Sequence, residues 1–228
     1  MISYKMMSYP SFILQHRTIG RAAAWAVFGL NVVYAVTTIL GFLSLKSPDD
    51  AIGDPFFSIM EVLIILIAPL MVVSMVAVHG YAPSDAKIYS LTALIFIILM
   101  AGITSSVHFV ILTVSRQIEA TSVSWLLSFK WPSVAYTLDI LAWDWFFAIS
   151  MLFAAPVFGV GRLEQTVRML MIFSGVLSLT GLIGVPLANM QIRNIGIIGY
   201  GVVAPVIFLL LGIIFGRTQS MPKLEKIL

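Results

Sequence analysis

Apolar positions along this chain gather in six long runs, roughly Ala22–Leu45, Phe56–His79, Tyr89–Val114, Val134–Phe158, Val167–Ala188 and Ile195–Gly216. Each is long enough to cross a bilayer as a helix, since about 20 apolar residues span the ~30 Å hydrocarbon core. The gaps are polar or break helices. Ser47-Pro48-Asp49-Asp50 and Gly53-Asp54-Pro55 close the first run, and Gly80 to Lys87 the second. Ser115–Ser128 closes the third, Gly159-Val160-Gly161-Arg162 the fourth and Asn189–Asn194 the fifth. The pattern predicts an all-α fold, a polytopic bundle of six transmembrane helices over residues 22–216. An interfacial N-terminal segment, 1–21, precedes it and a cytoplasmic tail, 217–228, follows it. Tyr4, Tyr9, Phe12, Ile13 and Leu14 with Lys5 and Arg17 give the N-terminal segment the amphipathic character of a helix lying on a membrane. Pro69 and Pro205 fall inside runs and are expected to kink them. Gly212 and Gly216 form a small-residue pair of the kind that lets helices approach closely.

Composition agrees. The chain has 228 residues, 60% hydrophobic and 10% charged, with a mean hydropathy of +1.05, far from soluble globular usage. It has no cysteine, which removes disulfides, thiolate metal sites and iron–sulfur clusters. The Lys and Arg residues set an orientation. With the N-terminus inside, Lys5, Arg17, Arg21, Lys87, Arg162, Arg168, Arg217, Lys223 and Lys226 are inner, and Lys46, Arg116, Lys130 and Arg193 are outer. Nine against four places both termini in the cytoplasm. The same placement in loops and tails makes the basic residues reporters of topology, not a nucleic-acid surface.

Candidate chemistry comes from the polar groups inside the runs. A charge at bilayer depth costs roughly 2.5–3.5 kcal/mol on insertion scales, so those retained mark sites. Glu61, His108 and Asp139 each lie about five or six residues from the outer end of their run, a common layer roughly 7–10 Å below the surface at 1.5 Å per residue. Thr104 and Ser105 flank His108, Asn31 reaches the midplane from the first run, and Trp143 and Trp145 flank Asp144. Together Glu61, His108, Asp139, Asp144, Trp143, Ser105, Thr104 and Asn31 form a candidate binding pocket opening outward. Glu61, His108 and Asp139 are also plausible ligands for a divalent metal ion. On an α-helix Asp139 and Asp144 stand about 140° apart. One stripe then reads Asp139, Trp143, Phe146, Ser150 and the other Thr137, Asp144, Ala148, Met151. Asp144 is the deepest, and no cation is expected at its level. It should therefore be protonated and hydrogen-bonded to Asn31 or Tyr34, or wetted by a cavity, and Asp144→Asn should keep the fold. The Trp125-Leu126-Leu127 stretch reads as a short interfacial helix or a cover over the pocket.

No lysine lies inside a run, so a retinal Schiff base is not available, and His79 and His108 lie at opposite faces, against a bis-histidine haem. Three functions fit: binding, transport or sensing of a small ligand, proton or ion in the outer half of the bundle; a structural or accessory subunit of a larger membrane assembly or homo-oligomer; and a membrane-embedded, metal-assisted hydrolase. Arg17, Gly20 and Arg21 at the first run, Tyr136…Asp139-Ile140…Phe146-Phe147 in the fourth and Gly161-Arg162-Leu163 after it resemble a family of small bacterial six-helix membrane proteins of unknown function. The resemblance implies the same fold and a bacterial inner-membrane location, with no active site to carry over.

Overall fold

A computed structural model describes Phe12 and residues 14–47, 50–114 and 124–218 of the chain. The elements are α1 (Leu14–Leu43), α2 (Phe56–Tyr81), α3 (Lys87–Thr113, led in by a 3-10 turn over Ser84–Ala86) and a short α4 (Ser124–Leu127). Then come α5 (Val134–Val157), α6 (Arg162–Gly184) and α7 (Met190–Arg217). All but α4 are long and apolar enough to cross a membrane. This is a multi-pass integral membrane protein, and lipid is the natural contact of its outward apolar side chains, such as Val36, Ile39, Ile95 and Val202.

The six spanning helices close into a ring. Each packs on its neighbour in sequence, and α7 packs back on α1. The interior is filled by Met71, Met75, Ile97, Met100, Phe147, Met151, Ile207 and Phe208, all nearly fully buried. Methionine suits such a centre because its unbranched chain fills irregular gaps. The turn between α5 and α6 needs Gly161, whose φ of 100° few other residues tolerate.

Several boundaries differ from the sequence reading. α1 begins at Leu14, so Arg17, Gly20 and Arg21 are continuous with the first spanning helix; residues 1–11 and 13 lie outside the described part. α7 begins at Met190, five residues before the apolar run, because Asn189 caps it: its side chain accepts from the amides of Gln191 and Ile192. α2 runs through Pro69, as the run Phe56–His79 requires.

Two spanning helices contain a π-helical stretch, Leu141–Phe147 in α5 and Ile198–Val203 in α7. In α7 the π-turn ends just before Pro205, whose ring conflicts with the carbonyl four residues back and which has no N–H to give it; the wider turn accommodates both.

Candidate functional site

The three ionisable residues expected at one depth meet. His108 of α3 lies between two carboxylates, with Nδ1 2.7 Å from Glu61 Oε2 of α2 and Nε2 3.3 Å from Asp139 Oδ1 of α5. All three are buried, His108 to 1% exposure. Thr104, one turn before His108, donates to Asp139 Oδ1 at 3.1 Å and accepts from the Trp143 indole N–H at 3.0 Å. The ring of Phe129, after α4, stands 5.4 Å from the imidazole and 5.2 Å from the ring of Tyr136. The cover on this side of the cluster is thus Phe129, while Trp125 on α4 is exposed.

Hydrogen-bond inventory constrains the protons here. A neutral imidazole donates through one nitrogen only, whereas an imidazolium donates through both. With both carboxylates ionised, His108 donates to both only as the cation; as the neutral imidazole it donates to one, unless the other carboxyl itself carries a proton toward it. The geometry lets one further proton sit on the imidazole or on either carboxyl.

Asp144 does not match the sequence reading. It lies in the π-helical stretch, fully buried, with Oδ2 3.3 Å from Nε of Arg193. Arg193 had been assigned to an outer loop, but it stands in the first turn of α7 and is 3% exposed. The expectation of no cation at this depth is therefore wrong. The reason is the early start of α7 together with the length of the arginine stem, which carries a charge inward from a helix end. Nη1 of Arg193 donates to the Tyr136 hydroxyl at 3.3 Å, and its guanidinium lies 5.1 Å and 5.9 Å from the rings of Tyr136 and Tyr200. The pair is close but poorly aligned, since both Asp144 oxygens and Arg193 Nε lack a well-formed hydrogen bond. The Ser178 hydroxyl beside them is also unsatisfied. Gly181 and Gly196 make room: a methyl on Gly196 would overlap Asp144 Oδ1, and one on Gly181 would come within 2.9 Å of it.

The α-helical geometry behind the 140° separation of Asp139 and Asp144 does not extend through Leu141–Phe147. π-Helical bonds run i→i+5, so residues five apart come nearer to one face than on an α-helix. Trp143 and Asp144 both turn inward, and the Trp143 ring lies 5.1 Å from that of Tyr200, tilted by 33°, itself in the second π-segment. Tyr136 touches both the Phe129 ring beside His108 and the Arg193 guanidinium, and Tyr200 meets both Trp143 and that guanidinium. The cluster and the ion pair thus share one aromatic wall.

Not every candidate joins. The Asn31 amide donates to the Val27 carbonyl of its own helix at 2.8 Å and is not a partner of Asp144. Ser105 is half-buried and makes no hydrogen bond to the cluster, so no serine–histidine pair forms there. Trp145 is exposed and faces away from the interior. The two carboxylates take opposite nitrogens of His108, and among the described residues no group of three His, Asp or Glu side chains is disposed around a single metal position. Arg193, Tyr136, Tyr200 and Phe129 were missed from the sequence; the asparagine cap before Met190 was the one signal that pointed to Arg193.

No known family, curated protein or solved structure matches this chain.

Proposed function

We propose that this is a proton-binding membrane protein, acting in transport or sensing, whose working site is the Glu61–His108–Asp139 cluster. The observation that carries the reading is one imidazole held between two buried carboxylates, an arrangement able to take up and release a proton at membrane depth. Ionisable residues in that position mark proton relays and ion paths. π-Turns concentrate at functional sites, and both of those here line the same aromatic wall. Toward the opposite end the interior is the layer of Met71, Met75, Ile97, Met100 and Met151. A proton can therefore load from one side, and passage to the other requires the helices to rearrange.

The site lies in the outer half if both termini are cytoplasmic. That orientation rests on the nine inner against four outer Lys and Arg residues, with Arg193 counted at the outer end of its helix. The bacterial inner membrane is the location that the family resemblance supports.

Infrared difference spectroscopy of purified protein, stepped through pH, tests the reading. A carboxyl band should appear or vanish with pH, and Glu61→Gln and Asp139→Asn should each alter it. A spectrum without any carboxyl change over the whole range of folded protein would make the cluster a structural clasp. The accessory-subunit reading would then replace this one.

A further inference from the structure

At the opposite end of the bundle, three arginines stand where α1 meets α7. Arg17 and Arg21 stand one turn apart on α1, and Arg217 ends α7. None of the three forms an ion pair with a carboxylate among the described residues. Arg17 Nη1 donates to the Thr218 carbonyl at 2.6 Å, which ties the start of α1 to the end of α7. Arg21 lies along α7, where a methyl on Gly216 would sit 3.6–3.9 Å from its Cδ, Nε and Nη1. Its guanidinium stands 4.3 Å from the centroid of the Trp25 ring. Trp25 lies flat on Gly212, where a methyl would overlap the indole. The glycine pair thus makes a smooth strip of α7 that seats an aromatic ring and a stacked cation side by side. Arg217 stands between Gly216, which Arg21 covers, and Thr218, which Arg17 holds.

We propose that Arg17, Arg21, Trp25 and Arg217 form a binding site for the phosphate of an anionic phospholipid headgroup. Guanidinium groups offer paired donors that match phosphate oxygens, and those of Arg21 and Arg217 are exposed and without a hydrogen-bond acceptor among the described residues. Tryptophan favours the headgroup level of a bilayer. Beyond it, the outward side chains of the same two helices are apolar, among them Val32, Val36, Val202 and Val206, a surface for acyl chains. A free phosphate would satisfy the arginines but leave that surface unused.

The test titrates purified protein in neutral detergent with phosphatidylglycerol, with phosphatidylcholine and with inorganic phosphate. Bound lipid is read by native mass spectrometry and Tm by scanning fluorimetry. The wild type should retain phosphatidylglycerol in preference to phosphatidylcholine and rise in Tm with it. Arg21→Gln/Arg217→Gln should bind it about tenfold less, the loss of one good phosphate contact, and lose the Tm rise. Arg162→Gln/Arg168→Gln, which removes the same charge from the same end, should keep both. Equal retention of the two lipids, equal loss in both variant pairs, or a full Tm rise with phosphate alone would each overturn the proposal. If Arg21→Gln/Arg217→Gln does not fold, Arg21→Lys is read instead, since it keeps the charge without the planar fork. Weakened retention in that variant supports the site, and unchanged retention overturns it.

Discussion

His108 has two ring nitrogens and both are engaged by acids, so its neighbours cannot be changed singly without cost. The same holds for Arg193. Breaking a buried ion pair by removing one partner typically costs about 3–5 kcal/mol, whereas replacing both with apolar groups is often neutral. Arg193→Met should therefore lower the Tm sharply, and Asp144→Leu/Arg193→Met should recover most of the loss. A single variant as stable as the wild type would mean that the pair is not charged or not formed. Asp144→Asn, harmless if the acid were neutral and alone, is now expected to destabilise, because it leaves the guanidinium without a counter-charge. At this scale the sequence was informative where depth could be counted from a clear helix end, as for Glu61, His108 and Asp139. It failed where a charged residue preceded the apolar run: Arg193 looked like a loop residue because hydropathy alone sets the run at Ile195, while the helix is set by the Asn189 cap.

The spanning helices themselves were legible, since runs of this length have few other uses. Their π-turns were not, because i→i+5 bonding leaves no mark in hydropathy. Yet the π-turns decide which side chains face inward. Deleting Ala142 should restore an α-helical register in α5 and separate either Trp143 from Thr104 or Asp144 from Arg193. A lower Tm and a shifted tryptophan emission are expected, and a deletion variant matching the wild type in both would show the π-turn to be dispensable. Gly196→Ala probes the same packing from α7. Overpacking of this kind costs typically 1–3 kcal/mol, and more is expected here because the new methyl meets a carboxylate oxygen. Unfolding of the two proteins in parallel measures the difference.

For the whole molecule, the ring arrangement puts the α1–α2 connection at one end of the bundle and the α5–α6 turn at the other. The chain has no cysteine, so introduced thiols report cleanly. Gly53→Cys should react with an impermeant maleimide on intact cells, and Val160→Cys only after permeabilisation; the reverse pattern would invert the orientation. Neither the closing contact of α7 on α1 nor the wall shared by Trp143 and Tyr200 could be read from run lengths, because both depend on how helices distant in sequence pack.

The cluster lies about five residues in from the helix ends, roughly 7–8 Å at 1.5 Å per residue. In a hydrocarbon core of ~30 Å that is about a quarter of the way into the electric field across the membrane. Moving one charge through the entire field is worth ~2.3 kcal/mol per 100 mV, so bringing a proton to His108 from the near side involves about 0.6 kcal/mol. If the cluster binds a proton as proposed, 100 mV across the membrane changes its proton affinity by about threefold, before any helix moves.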